Sequence, residues 1–215
     1  FRPLPVLALT AYLLGFALAY LQLSAGVGAL ILFGGVQIAM FLGAAALKER
    51  LPPQRILGAG VAFAGLVWLM LPSAGAVPGA GPAGLMLLAA VGWGLYSLAG
   101  RGARDPLAET AANFLYASPL VLAALVFGAQ MPTARGAGLA DISGAVTSGF
   151  GYALWYAILP GLGAARAAVA QLTVPVLALA GGFVLLAETP GAAALAAMAL
   201  TLAGVAIATW PAKAV

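Results

Sequence analysis

The chain has 215 residues, of which 64% are hydrophobic and 7% are charged, and its mean hydropathy is +1.11. Soluble domains have about 25% charged residues, so this composition excludes a soluble globule and indicates an integral membrane protein. The chain contains no Cys and no His, which excludes disulfides, thiolate metal sites and the usual proton shuttle. The net charge of +4 is therefore interpreted as membrane topology rather than as a nucleic-acid surface.

Eight apolar runs are long enough to cross a bilayer, which takes about 20 residues per helix. Connectors rich in proline and glycine, which favour turns, separate them. Transmembrane β-strands would be runs of about ten residues of alternating polarity, whereas these runs are longer and apolar on all sides. The sequence therefore predicts an all-α membrane protein. The eight predicted helices are Leu4–Leu23, Gly26–Leu47, Ile56–Leu71, Ala83–Gly100, Ala108–Gln130, Ile142–Leu159, Ala164–Ala187 and Ala192–Trp210.

The basic residues predict how these helices are oriented. If Arg2 is cytoplasmic and the helices alternate in direction, eight of the nine basic residues lie on the cytoplasmic side and only Arg135 lies outside. Cytoplasmic loops of membrane proteins carry an excess of Lys and Arg. We therefore expect both ends of the chain to be cytoplasmic.

The sequence also matches itself when it is shifted by 139 residues. Glu49 then aligns with Glu188, and Gly65 aligns with Gly204. In each copy a helix ends in an acidic residue, a break containing proline follows, and a helix of small residues comes next. The charge count places Glu49 inside and Glu188 outside. The two copies are thus expected to be inverted in the membrane, as in many secondary transporters.

An inverted repeat requires an odd number of helices in each copy. The second copy, residues 81–212, has five predicted helices, whereas the first, residues 1–72, has three. The shift therefore predicts about 56 further residues before Phe1, enough for two helices. We expect a ten-helix protein of two five-helix halves; a natural chain of eight helices is the alternative.

The segment Gly151–Val176, GYALWYAILPGLGAARAAVAQLTVPV, resembles the last repeat of EamA-type transporters of the drug/metabolite transporter superfamily. Its continuation to Glu188 and the helix Ala196–Ala208 resemble that repeat as well. In the first copy, Ala25–Leu69 carries the matching acidic and glycine positions. The resemblance covers nearly the whole chain, and its most specific features are the repeat length, the acid position and the inverted orientation.

The resemblance implies a transporter of small organic metabolites such as amino acids or drugs, with export favoured, that works by alternating access. It implies no cofactor and a location in the inner (plasma) membrane among lipids. Without His, Cys or a buried pair of acids the sequence offers almost nothing for an enzyme or a metal site, and the spans argue against nucleic-acid binding. The resemblance also implies a central cavity. The predicted helices that would line this cavity are Leu4–Leu23, Gly26–Leu47, Ala83–Gly100, Ile142–Leu159 and Ala164–Ala187.

Polar side chains are costly inside a membrane, so they tend to face a cavity or another helix. Gln37 and Gln171 lie within predicted helices, and an amide offers two donors and two acceptor lone pairs to a zwitterionic or amide-bearing solute. A hydrogen bond between helices is the alternative for each Gln. Pro175 removes a backbone donor, so we expect either a hinge for alternating access or a static kink.

Aromatic side chains are concentrated on the predicted cavity helices. Residues four apart share a helix face, so some of these rings would form continuous surfaces for an apolar or aromatic solute. Simple packing, or a belt at the membrane surface, is the alternative. The aromatic candidates for solute binding are Tyr12, Phe16, Trp93, Tyr96, Tyr152, Trp155 and Tyr156.

Small residues recur at close spacing in Ile56–Leu71 and Ala192–Trp210. Such residues let helices approach closely, so these helices are expected to brace the fold or a homodimer. Glu109 is expected at a solvated helix start, with proton coupling as the alternative. A membrane scaffold or assembly subunit without transport activity is the alternative function.

Overall fold

A computed structural model of the chain describes residues 2–23, 25–49, 51–70, 79–125, 133–174, 176, 177, 180, 181, 184 and 191–210. The described part contains eight continuous helices, further helical residues between 174 and 184, and no strand, which confirms the all-α prediction. The helices are α1 (Pro3–Ala19), α2 (Ala25–Ala46), α3 (Pro53–Met70), α4 (Ala80–Gly100), α5 (Pro106–Leu125), α6 (Ala134–Leu162), α7 (Ala164–Gln171) and α8 (Ala192–Thr209).

Four stretches of these helices are long and apolar enough to cross a membrane: Val27–Ala46, Ala80–Gly100, Ala134–Leu162 and Ala192–Thr209. The stretches Pro3–Ala19 and Pro53–Leu69 are apolar but shorter. Length and composition therefore support a multi-pass membrane protein. Of the predicted run Ala164–Ala187, α7 covers the first part, and much of the remainder lies outside the described residues.

Helix α6 begins at Ala134, eight residues before its predicted start at Ile142. Thr133 caps it, because its side-chain oxygen accepts a hydrogen bond from the Gly136 backbone N–H at 3.1 Å. The predicted start at Ile142 leaves Asp141 in the preceding loop; this is wrong, because Asp141 lies within the helix. The charged residues of this segment are typical of a connecting loop, but the Thr133 cap starts the helix before them.

The helices alternate in direction, and polar contacts gather where α1, α3, α5 and α7 begin and α2, α4, α6 and α8 end. We call this the basic end of the bundle. There the Arg2 guanidinium lies 3.2 Å from the Glu109 carboxylate, which joins α1 to α5. The Gln54 side chain donates to the Ile207 carbonyl at 2.9 Å, which joins the start of α3 to the end of α8.

The centre of the bundle forms where α1 packs against α4. Leu9 and Met86 are fully buried there. A Cβ added to Gly15 would lie 2.5 Å from the Leu85 carbonyl oxygen, so no larger residue fits between the two backbones. This contact fixes the spacing of α1 and α4, the two helices that carry Tyr12 and Trp93.

Helices α3 and α8 pack against each other along their small residues. A Cβ on Gly65 would lie 2.5 Å from the Thr201 hydroxyl, and one on Gly204 would overlap the Ala62 backbone. The prediction that these helices brace the fold is confirmed. Gly60 takes no part in the contact, because a Cβ there would meet nothing within 4 Å.

The turn after α2 directs Glu49 back towards the bundle. The Lys48 N–H donates to the Ala45 carbonyl, and the Glu49 N–H donates to the Ala44 carbonyl, each at 2.9 Å. This is the Schellman pattern of helix ends, which places one residue in the left-handed conformation. That residue is Lys48, with φ of 55°.

A single residue, Gly163, links α6 to α7, and its backbone conformation is one that only glycine adopts freely. Its φ is 75° and its ψ is 161°. The sharp reversal brings the first backbone N–H groups of α7 close to Glu49.

We expect Gly204→Val to destabilise the protein by about 1–3 kcal/mol, because the added side chain must push α3 away from α8. The melting temperature in detergent should fall. Gly60→Val is the matched control on the open face of α3 and should leave the melting temperature unchanged. Equal losses in the two variants would contradict the packing.

We expect Gly163→Ala to cost about 1–3 kcal/mol, because alanine is strained at this φ and ψ. Thermal unfolding in detergent measures the effect. Gly161→Ala, two residues earlier in a helical position with no atom within 4 Å of the added Cβ, is the control and should be neutral. A neutral Gly163→Ala would mean that the turn is not as described.

A candidate solute cavity

A cavity of about 540 Å³ lies in the middle of the bundle and extends towards the end opposite the basic end. Helices α1, α2, α4, α6 and α7, with the residues after α7, form its wall. These are the five helices that the family resemblance named. The lining residues are Tyr12, Leu32, Phe33, Val36, Trp93, Thr147, Gly151, Tyr152, Trp155, Ala170, Gln171, Thr173 and Val174.

Trp93 of α4 is the centre of the aromatic part of this wall. Its ring centroid lies 5.0 Å from that of Tyr12, 4.9 Å from that of Tyr152 and 6.4 Å from that of Trp155. Aromatic pairs at these separations attract each other beyond their burial alone. The rings of α1, α4 and α6 thus form one connected surface.

Hydrogen bonds between helices fix the orientation of these rings. The Trp155 indole N–H donates to the Ser97 hydroxyl at 2.9 Å. The Tyr152 hydroxyl donates to the Tyr12 hydroxyl at 3.3 Å. Each of these rings is held both by ring packing and by a hydrogen bond to another helix, which constrains its orientation.

Gln171 connects three helices at the edge of the cavity. Its carbonyl accepts a hydrogen bond from the Trp93 indole N–H, and its amide donates to the Met40 sulfur at 3.0 Å. One amide hydrogen and one carbonyl lone pair remain. Gln171 thus lines the cavity and also bonds to neighbouring helices, and its binding of a solute stays a prediction.

Three predicted aromatic residues do not line this cavity. Tyr96 and Tyr156 are fully buried on its basic-end side; their ring centroids lie 4.4 Å apart, and the Tyr156 hydroxyl donates to the Tyr96 carbonyl at 3.1 Å. The Phe16 ring packs between those of Tyr12 and Tyr20, with centroid separations of 5.7 Å and 4.7 Å. These residues support the lining rather than form it.

Gln37 lies away from this cavity, in a smaller space of about 240 Å³ between α2 and α3. Phe41 and Phe63 line that space beside it. Both polar atoms of the Gln37 amide are buried and have no hydrogen-bond partner within the described part of the chain. Pro175, the predicted hinge, lies outside the described residues.

Sequence reasoning missed Phe33 and Thr147 as lining residues. Thr147 lies four residues before Gly151, which also lines the cavity, so helical spacing from the neighbouring Tyr152 was the available signal. Thr147 falls in the π-helical stretch Ser143–Phe150. There the spacing of side chains departs from the α-helical pattern, and the signal was therefore weak.

The cavity wall carries no charged side chain among the residues described. Glu109 is bound instead to Arg2 and to the Arg104 backbone N–H at 3.0 Å, which fits a solvated helix start. Asp105 caps α5 by accepting from the Ala108 N–H at 3.0 Å. Over the same ranges, no three His, Cys, Asp or Glu side chains lie together where they could hold a metal ion.

Comparisons with known proteins agree with this architecture. The chain is 51% identical over 185 residues to an uncharacterized protein of Pseudomonas aeruginosa, covering 84% of this chain and 63% of that protein. It is 26% identical to an uncharacterized transporter of Archaeoglobus fulgidus, covering 94% of this chain and 74% of the relative. A crystal structure with 23% sequence identity shares the fold, with a TM-score of 0.83 over 95% of this chain and 74% of that chain.

The chain thus spans about 63% of the length of its Pseudomonas relative. Residues 82–210, from the start of α4 to the end of α8, match the model of the EamA-like transporter family. The described apolar helices and the central cavity agree with that match. The chain belongs to the EamA-like transporter family, of the drug/metabolite transporter superfamily.

Proposed function

We propose that this protein is a secondary transporter that moves small organic metabolites, such as amino acids or drugs, across the inner membrane. The observation that carries the proposal is the central cavity lined by Trp93, its aromatic neighbours and Gln171. Its volume of about 540 Å³ lies in the range of small-molecule sites, about 300–1,000 Å³.

The chemistry of the wall favours neutral or zwitterionic solutes with an apolar or aromatic part. Tyr12, Trp93, Tyr152 and Trp155 offer ring faces for stacking. Gln171 keeps one donor and one acceptor for a polar group of the solute. A solute with net charge would find no opposite charge among the described lining residues and would lose hydration without compensation.

An inverted repeat of two five-helix halves explains how such a cavity is built. When the bounds of α3, Pro53 and Met70, are shifted by 139 residues they fall on 192 and 209, which are the bounds of α8. The start of α2 at Ala25 likewise falls on the start of α7. Since α3 begins at the basic end and α8 ends there, the related helices run in opposite directions. These relations support residues 1–72 as part of the first half and 81–212 as the second.

The orientation follows from the positive-inside rule. Arg2, Arg101 and Arg104 lie at the basic end, so we propose that this end and both chain ends face the cytoplasm. The described cavity extends away from that end. This arrangement suits an exporter that is closed on the cytoplasmic side. Rocking of the two halves would then open the cavity to the cytoplasm again. A homodimer stays a prediction, since α3 and α8 use their small residues on each other.

The test is solute binding and flux with the full-length protein. A solute that binds only the folded state raises the melting temperature, so amino acids, nucleobases, sugars and cationic drugs are screened in detergent. Solutes that shift the melting temperature are then tested for flux in liposomes. We expect at least one neutral or zwitterionic solute to do both.

We expect Gln171→Leu to weaken binding of that solute about tenfold, the equivalent of about 1.4 kcal/mol, because it removes the free donor and acceptor. Gln37→Leu makes the same change in another buried amide, outside the cavity, and should alter the affinity less than twofold. A reversed order would move the binding site to the Gln37 space. No binding and no flux for any solute would favour the scaffold alternative.

A further inference from the structure

A single carboxylate, that of Glu49, joins three helices at the basic end. It lies 2.6 Å from the Arg101 guanidinium, just past the end of α4. It also accepts hydrogen bonds from the Ala164 and Ala165 backbone N–H groups at the start of α7, at 3.0 Å and 3.3 Å. The carboxylate therefore ties the end of α2 to both α4 and α7.

The local backbone is built to bring this carboxylate into place. The left-handed turn at Lys48 directs Glu49 towards the bundle. At Gly163 an added Cβ would lie 3.4 Å from a carboxylate oxygen of Glu49, so the Glu49 side chain and the turn at Gly163 are in contact. The first N–H groups of a helix lack partners within the helix and carry partial positive charge. Glu49 satisfies two of them.

An apolar layer adjoins this contact where α2, α4 and α7 meet. It consists of Ala44, Ala164 and Ala165, all fully buried, with Leu98 packed against them. A path from the cavity to the basic end between these three helices would cross this layer, so α2 would have to move away from α4 and α7.

We propose that Glu49 is the latch that holds the basic end closed, and that release of its contacts with Arg101, Ala164 and Ala165 opens the cavity to that end. Both partners of the ion pair are largely buried, with side chains 25% and 18% exposed, so water screens it weakly. The Arg2–Glu109 pair at the same end is more exposed, with 51% and 26% of the two side chains accessible. Exposed ion pairs contribute little to stability. This inference rests on the proposed alternating access.

The chain contains no cysteine, so one introduced thiol reports on one position. Ala44→Cys places a thiol in the apolar layer beneath the latch, and Thr147→Cys places one in the cavity wall. A hydrophilic maleimide added to the protein in detergent measures how fast each thiol is labelled. No solute is needed, so a failed transport assay leaves this test intact.

In the Glu49→Gln background, labelling at position 44 should speed up at least about tenfold, which corresponds to about 1.4 kcal/mol. Labelling at position 147 should slow down, because a transporter that opens at one end closes at the other. Arg101→Met removes the ion pair but keeps the carboxylate on α7, so we expect a smaller change of the same sign.

Glu109→Gln is the matched control. It removes the same charge at the same end, from a pair that joins α1 to α5, and should change labelling at both positions less than twofold. If position 44 does not tolerate a thiol, Leu98→Cys reports on the same layer from α4.

Unchanged labelling at position 44 in folded Glu49→Gln protein would overturn the latch, and so would an equal effect of Glu109→Gln. Faster labelling at position 44 without slower labelling at 147 would also overturn it, since it would indicate fraying of the basic end alone. Flux without a latch effect would leave the proposed function standing, whereas a latch effect without flux would refute transport of the tested solutes.

Discussion

The cost of an unpaired polar group away from water governs how this bundle is arranged. Inside a membrane such a group is satisfied by other groups of the protein, and three of the ring groups here have their partners on another helix. The Trp93 indole finds Gln171, the Trp155 indole finds Ser97, and the Tyr156 hydroxyl finds the Tyr96 carbonyl. These bonds join α4 to α6 and α7, and the rings they orient form the cavity wall or pack behind it. Structure and site therefore depend on the same contacts.

Much of the fold could be predicted from the sequence, because helix length and hydropathy leave few alternatives. The start of α6 could not, because the Thr133 cap and two charged residues look like a loop. The predicted cavity helices match the five that line the cavity. Hydropathy places a residue along a helix, but it does not say which neighbour each side of the helix meets.

Gln37 and Gln171 illustrate that limit. Both are amides within apolar helices, and the sequence offered the same two interpretations for each. The structure separates them, because α7 presents Gln171 to Trp93 and the cavity, whereas α2 presents Gln37 to α3. Tyr96 and Tyr156 are likewise fully buried away from the cavity, whereas Trp93 and Tyr152 line it. Only the packing of neighbouring helices decides which side of a helix faces open space.

The uncharged wall has an electrical consequence. Moving one elementary charge across a membrane potential of 100 mV changes its free energy by about 2.3 kcal/mol. The described lining residues carry no charge, so their reorientation would move none through the field. A zwitterionic solute would add none either, so this part of the wall would contribute nothing to a dependence of solute movement on the membrane potential.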